Sequence, residues 1–434
     1  MERIYTTQIG EHVGEQVRLA GWLHALRRLG GINFLVLRDV RGTAQIVVDA
    51  PEALAVLDGL LPETVLAVEG TVVAEPQAPG GMEVRSPVFE LLSPVREAAP
   101  VGVNKPVMKI SLPVFLDHAV IGLRHPTKRA VFRLSAGVMA GFRQTLNGLG
   151  FTEIQTPKLV ASATESGANV FAVDYFGQRA FLAQSPQFYK QIMVGVFERV
   201  FEVAPVFRAE PHDTIRHINE YVSLDVEMGF IRDHRDVMAV LTAVVHGILA
   251  HLQAAYVPEM AALNVKVPVA PTQFPAIYFP DAQELILKRW GEDCRGEPDL
   301  APQHERWLGE WAREEFGSDF LFVTGYPMAK RPFYTHANPA DPNYSNSFDL
   351  LFRGTELVTG GQRLHLYQDY LDAVAAKGYT DLRLFETYFE TFKLGMPPHG
   401  GFAIGLERFI MQLLGLENVR LATLFPRDLT RLTP

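Results

Sequence analysis

The sequence predicts an α+β protein in two parts, a small N-terminal β-barrel and a larger domain built on an antiparallel sheet with helices around it. Three observations carry that expectation. At 434 residues the chain is too long for one compact core. Its first hundred residues are short apolar runs separated by turn signals. Beyond them, long amphipathic segments are interspersed with isolated strands, two of which face each other across a loop.

The runs at 16–26, 33–39, 44–50, 65–73 and 88–95 are rich in Val, Leu, Ile and Phe, and several alternate at period two. Between the third and fourth lies PEALAVLDGL, a short helix opening on Pro51, a residue tolerated at a first helical turn. Five strands with a helix after the third match the small barrel that often binds single-stranded nucleic acid; a barrel used for protein contact fits the pattern equally. Residues 98–117 carry Pro100, Pro106 and Pro113 without periodicity and read as a linker. The expected division is a barrel at 1–100, a linker or hinge at 101–128 and the larger domain at 129–434, with 265–320 as an insertion. In that domain Val131, Leu134, Val138, Phe142 and Leu146 mark a helix over 129–149 that stops near Gly148 and Gly150. FTEIQTP reads as a strand ended by Pro157, and further helices are expected at 234–256, 366–377, 381–394 and 405–415. RVFEVAPVFRAE and YVSLDVEMGF read as strands.

With 48% hydrophobic and 21% charged residues the composition suits a globular fold. No apolar run reaches the roughly 18 residues of a membrane span, and the polar start MERIYTTQIGEHVGEQ is not a secretory signal. The single cysteine, Cys294, excludes an internal disulfide framework and a multi-cysteine zinc site, and is read as an incidental thiol. These features point to the cytoplasm. The net charge of −9 gives no sign of a nucleic-acid binder, but its distribution leaves two basic zones. One comprises Lys105, Lys109, Arg124, Lys128, Arg129 and Arg133 against Asp117, the other His24, Arg27, Arg28, Arg38 and Arg41. Confined cations can line a polyanion's path on an acidic protein, although an ordinary solvated surface has the same look.

No GxxxxGK[ST] occurs, and no GxGxxG sits between a strand and a helix, so a bound nucleotide must be held by arginines and carboxylates. The segment 206–228 is suited to that. Arg208 and Glu210 are expected on one face of a strand, a loop with His212 and Asp213 follows, then Arg216–His217 and a returning strand that carries Tyr221. Arginines at both ends grip a polyphosphate at two points, because guanidinium pairs bidentately with phosphate oxygens. In 350–365, Glu356 and Thr359 stand beside Gly360–Gly361 and Arg363. A carboxylate and a hydroxyl suit magnesium when phosphates complete the octahedron, with Asp349 as a helper. GMPPHGGFAIGLERF leads straight into a helix, with Gly400, Gly401 and Gly405 for close approach to a ligand and Arg408 in the first turn.

FTEIQTP, VFRAE…RHINE and GFAIGLERF, in that order, resemble the three signature motifs of the class II aminoacyl-tRNA synthetases. The chain is similar to the archaeal-type aspartyl-tRNA synthetases along its whole length, through GWLHALRRLGG, ATESGANVF, AQSPQFYKQIM, GGQR and LFPRDLTRLTP. The resemblance implies an N-terminal OB-fold anticodon-binding barrel, a class II catalytic domain on an antiparallel sheet, and a homodimer. It also implies ATP and L-aspartate as substrates, Mg2+ as cofactor, and tRNA(Asp) as acceptor.

Carried over residue by residue, the resemblance gives Arg208 the ATP α-phosphate and the aspartate α-carboxylate, and Glu210 the adenine amino group with Tyr221 stacking. Arg216 and His217 take the outer phosphates, Ile218 is counted with the ATP site, and Arg408 takes the γ-phosphate and the other adenine face. Glu356 and Thr359 coordinate magnesium; Ile404, Gly405, Leu406 and Glu407 line the ATP site. Glu165, Gln187 and Lys190 belong to the amino-acid pocket. Arg363 faces the side-chain carboxylate, and Arg331, in AKRPFY, stands where relatives carry a lysine as second cation, with Lys330 before it. A buried guanidinium facing a neutral amide would lack a charge partner, which costs about 3–5 kcal/mol and rejects asparagine. Activation is expected by in-line attack of the aspartate carboxylate on the α-phosphorus, then transfer to the terminal ribose of tRNA, without a protein nucleophile. His24 in the first barrel strand and Pro79 before the last are the residues that accompany relaxed anticodon reading, so tRNA(Asn) is expected as a second acceptor. An enzyme restricted to tRNA(Asp), an asparaginyl-tRNA synthetase and an inactive RNA-binding relative are the competing readings.

Overall fold

Alternating side chains close the first sheet on itself, because every second residue must leave water. In the computed structural model, which describes residues 1–161, 169–211, 214–379 and 382–434, strands β1 (Gln16–Leu29), β2 (Ile32–Arg38) and β3 (Thr43–Val48) precede helix α1 (Pro51–Leu57). Strands β4 (Val65–Ala74) and β5 (Met82–Ser93) complete a closed barrel in the order β1-β2-β3-β5-β4. Val17, Leu19, Leu23, Leu35, Leu37, Ile46, Val48, Leu66, Val68, Val72 and Val84 fill its interior. The fifth strand starts at Met82, earlier than its apolar run implied, because Gly80 and Gly81 turn the chain at φ values of +77° and +76°.

The stretch read as a linker is part of this first compact unit, which spans Met1–Pro126. It carries two short helices, Leu112–Asp117 and Ala119–Gly122. Asn104 donates from its side chain to the His24 carbonyl at 3.1 Å, and Arg124 reaches Glu63 at 3.2 Å. Glu63 is buried against Arg38, whose guanidinium meets it at 2.8 and 2.9 Å. Removing one member of a buried pair leaves an uncompensated charge, so Glu63→Gln lowers stability by about 2–3 kcal/mol. Denaturant unfolding of the wild type and the variant, followed by circular dichroism, checks this.

The second unit spans Thr127–Pro434. Its chain runs through α2 (Pro126–Gly148), β6 (Thr152–Glu153), α3 (Gln187–Phe197), β7 (Arg199–Phe207), β8 (Glu220–Gly229) and α4 (His234–Ala255). Then follow β9 (Ala276–Tyr278), α5 (Phe279–Trp290), α6 (Pro302–Phe316) and β10 (Phe320–Thr324). Strands β11 (Ser347–Phe352) and β12 (Glu356–Gln362), helices α7 (Tyr367–Ala376) and α8 (Glu386–Lys393), strand β13 (His399–Gly405) and helix α9 (Leu406–Leu414) complete it. The eight strands lie in the order β9-β10-β11-β12-β13-β8-β7-β6. The central pairs are antiparallel, and the outermost pair at each edge is parallel. The sheet is therefore mixed at its edges, where a short strand returns by a helical connection.

Residues 265–320 do more than interrupt the domain. They supply the edge strand β9 and the helices α5 and α6, which share a core with Leu321, Val323 and Leu351 of the sheet. Helix α8 starts at Glu386, after a 3-10 turn at Leu382–Phe385, not at 381. By length and composition α4 is apolar enough to cross a membrane, contrary to the reading of the sequence. Its Val237, Leu241, Val244, Val245, Ile248 and Leu252 are buried in the main core.

One sheet face is apolar and the other polar. Leu224, Val226, Val358, Phe402 and Ile404 point into the core with α2 and α4. Their neighbours point the other way, and the register aligns Asp225, Ala403, Thr359 and Asp349 in one row and Glu227, Gly401, Gly361 and Ser347 in the next. The functional site lies on this second face.

Candidate active site

A cavity of about 530 Å³ opens over the polar face. Arg208, Glu210, Arg216, His217, Ile218, Tyr221, Glu356, Thr359, Gly405, Glu407 and Arg408 line it, as do Gln187, Lys190, Lys330, Arg331 and Arg363. Residues scattered over more than two hundred positions thus share one wall. Among the residues assigned to the ATP site, Ile404 and Leu406 are exceptions: both side chains are buried in the core, Ile404 because alternation on β13 turns Ala403 and Gly405 to the cavity, and Leu406 from the first residue of α9 (Leu406–Leu414). Glu165, His212 and Asp213 lie outside the described residues. His24 and Pro79 belong to the barrel unit, where His24 is half-buried on β1 and Pro79 is exposed in the β4–β5 connection.

Arg208 and Glu210 follow the end of β7 and are not on the strand. A backbone bond from Arg208 N to Asn219 O at 2.9 Å continues the pairing by one step. The Asn219 side chain then donates to the Arg208 carbonyl at 2.7 Å and fixes the segment. Arg208 lies 3.6 Å from Glu210, and its guanidinium carbon is 5.7 Å from the Tyr221 ring centre. Both oxygens of Glu407 accept from Val222 N at 3.1 Å, and burial pushes this carboxyl up to about 7. Arg408, in the first turn of α9, donates to the Glu356 carbonyl at 3.1 Å and lies 3.5 Å from the Glu356 carboxylate. Thr359 Oγ1 is 3.4 Å from the same carboxylate.

This donor set fits magnesium. Glu356 is half exposed, with a hydroxyl beside it, and leaves the remaining positions to phosphate and water. Asp349 is not in the cavity lining. It is buried behind Thr359, where its Oδ1 accepts from Arg331 Nη2 at 3.0 Å. Burial raises Asp349 to about 6 against the pull of Arg331, while Arg331 remains cationic. Arg331 Nε is buried without a hydrogen-bond partner, so this guanidinium keeps a donor for a ligand. Lys330 is half exposed, 3.7 Å from Asp299.

On the adjoining row, Arg363 donates from Nε to Glu227 at 2.9 Å, and from Nη2 to Glu227 at 3.3 Å and to the Gly401 carbonyl at 3.1 Å. Lys190, on α3, lies 3.4 Å from Glu227 and 3.0 Å from Asp225. Ser223 donates to the other Asp225 oxygen at 2.5 Å. Burial opposes the charge on Glu227, but Arg363 and Lys190 outweigh it and hold the carboxyl below its usual range. Gly401 is glycine for a steric reason: a Cβ there would come within 2.1 Å of the Val226 carbonyl and 2.2 Å of the Glu227 carboxylate. The glycine thus makes room for a protein group, where the sequence reading had reserved it for a ligand.

Behind the pair, Gln187 donates to Gln191, which donates to Tyr370 at 3.1 Å and bonds His399 Nε2 at 2.9 Å. His399 Nδ1 faces the Pro397 carbonyl at 2.9 Å and must carry the proton; burial holds this ring near 4, hence neutral. Sequence reasoning missed Asp225, Glu227, Asn219, Gln191, His399 and Glu305. The first two had a visible signal, polar residues at every second position of the otherwise apolar VSLDVEM.

Residues 112–429 match the family described as tRNA synthetases class II (D, K and N), and residues 17–92 match the OB-fold nucleic acid binding domain. The chain is 47% identical to an aspartate–tRNA(Asp/Asn) ligase of Deinococcus radiodurans, over 100% of this chain and 99% of that protein. It is also 47% identical to the aspartate–tRNA(Asp/Asn) ligase of Thermus thermophilus, over 100% of both. Its fold is similar to that of asparaginyl-tRNA synthetase from Pyrococcus horikoshii in complex with asparaginyl-adenylate, with a TM-score of 0.93, 32% identity and 100% of both chains covered.

Proposed function

The chain belongs to the class II tRNA synthetases of the D, K and N group, and we propose that it activates L-aspartate with ATP and transfers it to tRNA(Asp) and tRNA(Asn). One observation carries the catalytic half: a single cavity gathers Arg208, Arg216 and Arg408 with two buried cations, Lys190 and Arg363. Three guanidiniums suit a triphosphate, and the buried pair suits an amino acid with a second carboxylate.

In this reading Arg208 bridges the α-phosphate and the amino acid's α-carboxylate, bringing the attacking oxygen in line with phosphorus. Glu210, Tyr221 and Arg408 hold adenine, while Arg216 and His217 draw off charge from the outer phosphates. Magnesium, held by Glu356 and Thr359, would neutralise phosphate charge. Catalysis then rests on positioning and on cations aimed where charge develops, with no covalent enzyme intermediate. A homodimer in the cytoplasm completes the proposal.

Aspartate is favoured over asparagine by donor geometry. Arg363 commits Nε and Nη2 to Glu227 and Gly401, which leaves Nη1 for a ligand; Lys190, in the lining of the same cavity, would join it by giving up its long contacts to the Val226 and Phe402 carbonyls. A carboxylate offers acceptors to both donors. An amide offers one oxygen and sets its NH2 against the other donor. Because Glu227 already balances Arg363, the guanidinium is not left uncompensated in the empty pocket, and discrimination rests on the second donor. In this reading Lys190 is the second cation, while Arg331, in the same lining, has its Nη2 taken by Asp349 and its Nε open to a ligand. Asparagine activation is the second reading, favoured by the fold likeness to an asparaginyl enzyme, and the two-donor arrangement counts against it.

The test is aminoacylation of separated tRNA(Asp) and tRNA(Asn) with each amino acid. Aspartate is charged to both, and asparagine to neither at more than about one hundredth of the aspartate rate, the ratio for a lost charged hydrogen bond. His24 is the residue that supports the wider tRNA range. It is half-buried, with Nδ1 3.5 Å from Arg38, and burial and Arg38 hold it below its usual pKa, so it offers a neutral ring to an anticodon base. Charging of tRNA(Asn) far below tRNA(Asp) would overturn that part.

A further inference from the structure

Helix α6 lies in the segment that carries no motif, yet it places a carboxyl group against two residues of the active-site cavity, Arg216 and Glu356. Glu305, in its first turn, is only 9% exposed. A carboxylate that far from water needs partners. One oxygen, Oε2, accepts from the backbone N–H of Glu356 at 3.1 Å and lies 3.5 Å from Nη1 of Arg216. The same carboxylate therefore touches the first residue of β12, which carries the proposed magnesium ligand, and one of the arginines assigned to the outer phosphates.

The two ends of this contact differ in stiffness. Arg216 stands between Thr214 and Asn219, in a stretch outside any strand or helix, so no ladder aims its side chain. Helix α6 is held on both sides. Leu308 and Ala312 are buried with Phe279 and Leu321, and a Cβ on Gly309 would come within 2.5 Å of Gly354 in the β11–β12 turn. A rigid helix thus supplies the anchor for a cation on an irregular segment. Anchoring a long side chain before the ligand arrives removes part of the ordering entropy that binding would otherwise cost.

We infer that Glu305 is a positioning residue for ATP, acting through Arg216: it holds the guanidinium where the outer phosphates of ATP meet it. The inference rests on the assignment of Arg216 to those phosphates. Glu305 touches no substrate in this role, and nothing in it alters the aspartate end of the cavity.

Burial lifts the Glu305 carboxyl to about 7, so at about pH 8 Glu305→Gln is the informative substitution: the amide oxygen still accepts from Glu356 N while the negative charge facing Arg216 is removed. In the full-length enzyme, the expected result is a KM for ATP in pyrophosphate exchange, and a Kd for magnesium–ATP by calorimetry, each raised about three- to tenfold, with KM for aspartate unchanged. In an Arg216→Ala background the same substitution has no further effect, which a general loss of structure would not reproduce. Unchanged ATP affinity, tighter ATP binding in Glu305→Gln, or the full effect persisting without Arg216 would each overturn the inference. Wild-type exchange that requires aspartate tests the underlying reading separately, and the calorimetric arm stands even if the amino acid has been misassigned.

Discussion

Arg208→Ala lowers aspartate-dependent ATP–pyrophosphate exchange by about 10³-fold or more, the scale seen when a group that stabilises developing charge is removed. The same substitution shifts unfolding free energy by no more than about 0.5 kcal/mol. The two halves of this expectation come from different features. Arg208 follows the end of β7, its side chain is 39% exposed, and the segment is held by Asn219 through backbone carbonyls, which the substitution leaves intact. Its guanidinium faces the cavity beside Glu210 and Tyr221, and in the proposed role it is the bidentate donor shared by the α-phosphate and the α-carboxylate. Exchange in initial-rate assays, with denaturant unfolding on the same samples, separates the two. A variant that folds normally and retains near wild-type exchange would remove Arg208 from the reaction.

The parts of this protein that were legible in its sequence are those governed by local rules. Period-two alternation marked the barrel strands, and the Val131-to-Leu146 stripe marked the helix that backs the sheet, because both patterns follow from which side of an element leaves water. Arginines and glycines in three separate segments marked residues that line one cavity. What stayed hidden depends on long-range register. Nothing local says that β9 joins the sheet in parallel, or that Gly401 is small for the sake of Val226 and Glu227 on a neighbouring strand. Glu305 was invisible for the same reason: its meaning lies in Arg216 and Glu356, which are far from it in sequence. The 98–117 stretch was misread because prolines signal irregular backbone but do not say whether that backbone packs, and here Asn104 and Arg124 tie its flanks to the barrel. Ile404 and Leu406 came into the expected ATP site through the motif resemblance, although strand alternation alone assigns the Ile404 side chain to the core.

Arg363→Ala lowers kcat/KM for aspartate by about 10³-fold and destabilises the fold by about 3–5 kcal/mol, because it breaks a buried pair and removes a substrate contact together. The buried group consists of Lys190 and Arg363 against Asp225 and Glu227, two positive charges and two negative. Without Arg363 it holds one positive and two negative charges, so Glu227 is left with a shared lysine, and the incoming carboxylate meets net negative potential. The double variant Arg363→Ala with Glu227→Gln restores one charge of each sign. It recovers most of the lost stability, since the isolated carboxylate is gone, but it recovers little aspartate turnover, since the Nη1 donor is still missing. Arg363→Lys keeps the charge without the planar fork and falls between, because a single ammonium cannot hold Glu227 at two points and also face the ligand. Thermal or denaturant unfolding read beside pyrophosphate exchange distinguishes the two contributions. If the double variant regained both stability and turnover, Arg363 would be serving only as the counter-ion of Glu227, and the discrimination of aspartate would have to come from Lys190 alone.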